Sequence, residues 1–190
     1  VVYGAVLTQN FCVEHMRTEN TAGRDLMRGS KYIQSKIGKV FKSVKDDLEK
    51  GRNVVFSGTS CQVAGLKGYL QKDYEKLICL DIVCHGVPSP LVWKKYLAWQ
   101  EKRYGKCVAV DFRNKKDFGW TDHVETMEFE KEGKTRRIHS RIYTELFYGH
   151  AILRPVCYEC PYKSTYHPGD ITIADFWGIE KAVPGFSDNK

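Results

Sequence analysis

Short apolar runs alternate along this chain with stretches whose apolar residues recur at helical spacing. Val1 to Leu7 and Phe11 to His15 read as two strands of a meander, turned at Thr8-Gln9-Asn10. Ala22 to Met27 reads as a short helix opened by Thr21, and the polar, Gly29-broken segment Arg28 to Ser35 as a loop or strand end. Val40, Phe41, Val44 and Leu48 predict a helix that stops at Gly51. Asn53 to Phe56 is a short buried strand, and Val63, Leu66, Tyr69 and Leu70 follow as a helix through Lys72. Leu77 to Val83 is nearly all apolar and predicts a strand buried on both faces. A second helix carries Trp93, Tyr96, Leu97 and Gln100 after Pro90, a residue suited to a first helical turn.

The second half reads differently. Val108 to Arg113 is a strand, and Asn114 to Asp117 a turn. His123 to Glu130 alternates, Gly133 turns it and Thr135 to Arg141 returns, which predicts a β-hairpin. Tyr143 to Gly149 is a short aromatic helix, and Asp170 to Ala174 the last strand. The pattern predicts an α/β fold: a mixed, partly parallel sheet flanked by helices, with a hairpin inserted near 123–141. Its two consecutive strand–loop–helix units imply neighbouring parallel strands. The carboxyl ends of such strands host the site, so the loops holding Cys61 and Cys84 share one rim.

Composition narrows the class. The 190 residues contain no run of eighteen apolar residues and no signal peptide, so the expectation is a soluble, cytoplasmic protein without a membrane span. Seven cysteines, an odd number in a chain without export signals, favour metal or redox chemistry over disulfides. The net charge of +7 reads as nucleic-acid binding, as a solvated surface, or as a funnel for an anionic cofactor or redox partner. No recognition motif accompanies the charge, and nucleic acid is not expected. The chain opens inside a strand and Ser187 to Lys190 closes no element, which reads as a fragment of a longer polypeptide.

Chemistry concentrates in Phe56-Ser57-Gly58-Thr59-Ser60-Cys61-Gln62. Gly58 lets the chain turn sharply, Thr59 or Ser60 caps the helix, and Cys61 falls in its first turn. Free N–H groups there favour an anion and a thiolate, so the loop reads as a phosphate cradle or a ready thiol. A buried structural cysteine is the plainer alternative. Cys157-x-x-Cys160, followed by Pro161, is a close ligand pair; Cys61 and Cys84 are the natural other two of a four-thiolate site. Cys12, Cys79 and Cys107 read as core or incidental. Ligand type does not separate zinc from iron–sulfur, but ligation split over distant segments leans towards a cluster beside a second cofactor. A flavin is the natural organic partner. The Gly58 loop and the Ser30-Lys31 loop are the seats for its phosphates. His85 reads as a tuner of the cluster, a proton shuttle, or a loop histidine bonded to backbone; Asp175 and Trp177 read as flavin contacts or as strand-end and core residues.

Taken together, Gly29-Ser30-Lys31-Tyr32-x-Gln34-Ser35, the Phe56–Gln62 loop, Cys84-His85-Gly86-Val87-Pro88-Ser89-Pro90, Phe112-Arg113-x-Lys115, Gly119-Trp120, Cys157-x-x-Cys160-Pro161 and Asp175-x-Trp177-Gly178 resemble the beta subunits of coenzyme F420 hydrogenases and dehydrogenases. Chlorophyll-intermediate reductases and bacterial proteins found with polysaccharide-synthesis enzymes look similar too. The resemblance implies an iron–sulfur flavoprotein oxidoreductase with FAD and a 4Fe-4S cluster held by Cys61, Cys84, Cys157 and Cys160. It places Ser30, Lys31, Tyr32, Gln34, Ser35, Gly58, Thr59, Ser60, Gln62, His85 and Gly86 at the cofactors. It implies a ferredoxin-like domain or protein as electron donor and a small redox substrate, coenzyme F420-like or other. Members commonly carry an N-terminal ferredoxin-like domain, absent here. Residues 1–190 are therefore expected to form one catalytic core, with about 1–50 ending the N-terminal part and 51–190 forming the C-terminal part. The family usually has Pro where Ser60 stands. The alternatives are a zinc-stabilised, non-catalytic protein-docking module and a nucleic-acid binder.

Overall fold

The computed structural model describes residues 1–186; the chain end at Ser187 to Lys190 lies outside them. β1 (Val2–Leu7) and β2 (Val13–Thr18) form the antiparallel hairpin, from Val2 opposite Thr18 to Leu7 opposite Val13. Phe11 takes a left-handed φ of 54°, so β2 starts two residues later than the pattern suggests and Cys12 is an exposed turn residue rather than a strand residue. α1 (Thr21–Asp25) is capped by Asn20, whose side chain accepts the Gly23 N–H at 2.8 Å; Thr21 is its first residue, not its cap. α2 (Val40–Glu49) buries Val44, Asp47 and Leu48 and stops before Gly51 at φ 75°. β3 (Val54–Ser57), α3 (Ser60–Leu70) and β4 (Leu77–Ile82) make a βαβ unit with β3 and β4 parallel and adjacent. α4 (Pro90–Tyr104) starts at Ser89, whose hydroxyl accepts the Leu91 N–H.

β5 (Lys106–Asp111) leaves the first sheet, and α5 (Lys115–Phe118) follows. β6 (Glu125–Lys131) and β7 (Lys134–Ser140) are the hairpin. α6 (Ile142–Tyr148), α7 (Pro155–Tyr158), β8 (Ile171–Ile173) and α8 (Ile179–Ala182) complete the described chain. One sheet has the order β2-β1-β3-β4-β8, with all pairs parallel except β1–β2; the other is the antiparallel β5-β6-β7. The fold is thus mixed α/β, as the pattern predicts. The hairpin is not a lone appendage: it pairs with β5 and builds a second core.

The two cores are distinct. Tyr3, Val44, Leu48, Val54, Phe56, Val63, Leu66, Leu70 and Cys79 pack between the first sheet and helices α2 and α3. Trp93, Tyr96, Cys107, Phe112, Met127, Phe129 and Tyr143 pack between the second sheet, α4 and α6. Burial pushes the thiols of Cys79 and Cys107 up to about 11, which suits inert core residues. Arg17 and the Tyr3 hydroxyl both donate to Asp47, at 2.7 Å and 2.6 Å, tying α2 to the β1–β2 hairpin. The Arg17 guanidinium holds that carboxyl down to about 2. β4 departs from the expected two-sided burial. Cys79 and Asp81 face the helix layer and are buried, whereas Ile78 and Ile82 are 47% and 42% exposed. The reason is that α2 and α3 cover one face of the sheet. Among the described residues no helix is long and apolar enough to cross a membrane.

Candidate functional site

Because β3 and β4 are parallel neighbours, the Cys61 and Cys84 loops leave the sheet at the same edge. Ser60, the first residue of α3, donates its hydroxyl to the Ile82 carbonyl at 3.3 Å, which draws the two loops together. Thr59 Oγ1 lies 3.2 Å from Cys61 Sγ. The segment after Cys84 then pairs with the approach to the Cys157-x-x-Cys160 turn. Pro88 bridges Leu153, and the Arg154 N–H donates to the Val87 carbonyl at 3.0 Å. Gly86, at φ +136°, lets this loop close: a Cβ there would stand 2.9 Å from Leu153 and 3.4 Å from the Cys157 Cβ.

The backbone thus sets the three cysteine-bearing segments side by side. The Cys84 thiol is pushed up to about 11, first by burial and then by the negative charge of Cys61, Cys157 and Cys160. The other three cysteines lie elsewhere, in the β1–β2 turn and the two cores. Among the described residues no three His, Cys, Asp or Glu side chains are grouped to hold one metal ion. A tetrahedral zinc site with Zn–S of about 2.3 Å needs sulfurs roughly 3.8 Å apart. A cubane distributes its four thiolates over four irons and takes a wider set. Four thiolates are the donor set of either site, and among the described residues they are not drawn together as a single ion needs.

A buried carboxylate braces the arrangement. Asp81, fully buried on β4, accepts from Thr172 Oγ1 at 2.7 Å, from His167 Nδ1 at 3.1 Å and from the Gly169 N–H at 3.3 Å. His167 Nδ1 also lies 3.2 Å from Ser60 Oγ. One side chain thus links the strand leading to Cys84, the residue before Cys61 and the segment after Cys160. Gly169 is required there, since a Cβ would meet the Asp81 carboxyl at 2.8 Å. Sequence reasoning missed Asp81, Thr172 and His167. The available signal was a charged residue inside the otherwise apolar Leu77–Val83 run.

Most of the residues assigned to cofactors are engaged in bonds within the protein. Gln62 donates to Ser35 Oγ at 2.8 Å and accepts the Thr59 N–H at 3.0 Å, while the Gly58 N–H donates to the Leu80 carbonyl. No backbone donor on Gly58 or Thr59 is left for a phosphate. The Gln34 N–H donates to the Pro88 carbonyl. Lys31 is neither solvated nor free: its ammonium donates to the carbonyls of Met27, Arg28 and Gly29, and burial lowers it to about 8. Beside Ser30 and Lys31 an open cavity of about 430 Å³ separates the Arg28–Lys31 loop from Val110–Phe112, with Leu7 and Leu26 as apolar walls.

An aromatic wall continues from the cysteine loops. His85 donates from Nε2 to the Phe147 carbonyl at 3.3 Å, the backbone-bonded arrangement among its three readings. Tyr32 stacks on Phe147 at 4.6 Å, and its hydroxyl meets that of Tyr148 at 3.1 Å. Ring centroids then step from His85 to Tyr148 at 5.2 Å, to His123 at 4.4 Å and to Trp177 at 5.8 Å. Trp177 is about half exposed, so this wall opens to the surface next to Asp175.

Two comparisons with known proteins give matches. The family model for the C terminus of the coenzyme F420 hydrogenase/dehydrogenase beta subunit matches residues 51–188. The fold is similar to a chain of the F420-reducing NiFe hydrogenase complex from Methanosarcina barkeri, with a TM-score of 0.52 and 12% identity over 84% of this chain. The match spans 52% of that chain, about half its length. No curated protein matches the sequence.

Proposed function

The chain belongs to the coenzyme F420 hydrogenase/dehydrogenase beta-subunit family, and from that premise we propose that it forms the core of an iron–sulfur flavoprotein oxidoreductase. Cys61, Cys84, Cys157 and Cys160 hold a 4Fe-4S cluster in this reading, and FAD lies between the cavity beside Lys31 and the aromatic wall. When bound, the cluster supplies one-electron transfer and the flavin supplies hydride chemistry towards a small redox substrate, coenzyme F420 or another. The electron donor is a ferredoxin-like domain or protein. Free thiols throughout suit a reducing compartment such as the cytoplasm.

What supports the reading is the backbone that sets the three cysteine-bearing segments side by side: β3 and β4 are parallel neighbours, and the loop after Cys84 pairs with the approach to Cys157 through Pro88–Leu153 and Val87–Arg154. The chain's own residues do the remaining work. Asp81 and Gly86 bring the loops together. Gln62 and Ser35 lock the Gly58 loop onto the Ser30–Ser35 segment, so these two side chains hold the loops together rather than cradle phosphate. Tyr32, Phe147 and Tyr148 pack ring against ring beside His85. Lys31 holds its own loop in shape and leaves Arg28 to face the cavity.

The test is anaerobic purification of the full-length protein, with iron, zinc and flavin measured per chain. About four irons and one FAD are expected. Cys84→Ser and Cys157→Ser should each lose most of the iron and the broad absorption near ~400 nm. A chain with neither iron nor flavin overturns the proposal, and a colourless chain with one zinc replaces it with the docking module.

A further inference from the structure

We infer that Arg113, Lys115 and His123, framed by Trp120 and Trp177, form a binding site for an anionic group, a carboxylate or a phosphate. The flavoprotein reading enters only in naming the bearer of that group: the flavin's own diphosphate or the redox substrate.

Arg113 follows β5 and turns its side chain inward, where it is 5% exposed. One terminal nitrogen donates to Asp175 Oδ2 at 2.6 Å, and the other donates to the Trp120 carbonyl at 2.6 Å. The third donor, Nε, is buried and has no partner among the described residues. A buried N–H without an acceptor is costly and rare, and it marks a place where a ligand or water oxygen belongs. A simple structural ion pair with Asp175 accounts for one nitrogen and leaves this one unexplained.

Among the described residues the second cation beside it has no carboxylate of its own. Lys115 sets its ammonium 3.3 Å from the centre of the Trp120 ring and, among the described residues, makes no ion pair. Arg113 itself lies 5.2 Å from the Trp120 ring and 5.5 Å from the Trp177 ring. Among the described residues Asp175 is the one carboxylate paired with the guanidinium. Asp111 accepts only the Arg113 backbone N–H, at 3.0 Å, and Asp122, near His123, is already bridged to Arg141 at 3.1 Å. Lys115 and His123 are both held below their ordinary values, first by burial and then by the Arg113 charge, with Asp175 acting the other way. Indole walls keep the local dielectric low and strengthen attraction for an incoming anion. Trp177, about half exposed, leaves a way in.

The bearer follows from position. This cationic group adjoins the far end of the ring series that begins at His85 beside Cys84, through Tyr148 and His123. An anionic tail fixed here would aim its attached ring system along that wall towards the cysteines.

The test uses the full-length protein with Lys115→Gln, whose side chain lies at the surface and is safe for folding, and Lys116→Gln as a neighbouring control outside the group. Arg113→Gln is avoided as the decisive variant because its buried pair supports the fold. Inorganic phosphate is titrated while tryptophan fluorescence is followed, and FAD per chain is measured after gel filtration. If the substrate is the bearer, FAD stays equal in all three proteins and phosphate binds saturably, about tenfold weaker in Lys115→Gln. If the flavin diphosphate is the bearer, Lys115→Gln retains markedly less FAD than the control. Should Lys115→Gln match Lys116→Gln in both phosphate affinity and FAD content, the site is refuted. The phosphate titration reads the site even in a protein without iron or flavin, so its failure is separate from failure of the proposed function.

Discussion

Asp81 and Glu125 are both buried carboxylates, 0% and 2% exposed, yet the protein treats their charges in opposite ways. Burial alone raises Asp81, but bonds from Thr172, His167 and the Gly169 N–H outweigh it and hold the carboxyl below the usual aspartate value. At Glu125 burial prevails. Tyr96, Ser140 and the N–H groups of Tyr143 and Thr144 only partly offset it, and the carboxyl stays above the usual glutamate value. The two groups also tie different things. Asp81 gathers the cysteine-bearing segments around an imidazole. Glu125 caps α6, whose preceding residue Arg141 offers no side-chain cap, and joins it to α4 through Tyr96. The lesson is that burial does not set the charge state; the number and kind of donors do. A phenol and two amides inside an aromatic core hold a charge less well than an imidazole, a hydroxyl and an amide at the rim of a sheet.

The largest expected effect is from Asp81→Asn. It presents an amide N–H₂ to donors that need an acceptor and should cost about 3 kcal/mol at neutral pH, measured as a shift in the urea midpoint. The same variant should lower the iron retained per chain, because the loops of Cys61 and Cys84 lose their common brace. Glu125→Gln comes next, at about 1–2 kcal/mol. The pH profiles then separate the pair by sign. A carboxyl whose folded value is depressed contributes stability above its unfolded value and loses it as pH falls through the folded value, so Asp81→Asn should flatten the acid limb. A carboxyl whose folded value is raised does the reverse. The native protein loses stability as pH rises from the ordinary glutamate value through the folded one, and Glu125→Gln should remove that decline. Identical profiles for the two variants would break the comparison.

The legibility of the chain follows the same division. The first sheet, its βα turns and the common rim of the Cys61 and Cys84 loops were readable because short-range signals specify them: apolar runs, glycine turns and the strand–loop–helix order. The second core was readable only as separate elements. Nothing local in Val108–Arg113 says that it pairs with the hairpin rather than with β4, and that choice depends on Met127 and Phe129 finding Trp93 and Tyr96. Long-range polar ties were the least visible. Lys31 read as a phosphate ligand or a solvated side chain because a lysine clamping three carbonyls of its own loop leaves no pattern. Gln62 and Ser35 were marked as cofactor contacts because they flank the right loops, whereas their bond to each other needs the fold to bring them together. Asp81 alone among the long-range ties carried a signal, a charge in an apolar strand.

Removing one donor from each carboxylate gives finer tests. Thr172→Val takes the 2.7 Å hydroxyl from Asp81 and should cost about 1.5 kcal/mol. Because Asp81 is ionised well below neutrality, that cost should be the same at pH 5 and pH 8.

Tyr96→Phe is the smallest change and the most discriminating. It removes the phenol that donates to Glu125 and accepts from Gln100 Nε2, while keeping the ring against Trp93 and Tyr143. At low pH Glu125 is protonated, and the lost bond is one between neutral groups worth about 1 kcal/mol. As pH rises through the raised folded value, the carboxylate needs that donor more, since charge-assisted bonds are roughly twice as strong. The cost of Tyr96→Phe should therefore grow from pH 4 to pH 8, by about a factor of two, where that of Thr172→Val stays level. Urea midpoints of both variants and the parent at the two pH values provide the measurement. A level cost for Tyr96→Phe would mean that Glu125 does not change its charge in this interval, and the contrast with Asp81 would then lie in position alone rather than in ionisation.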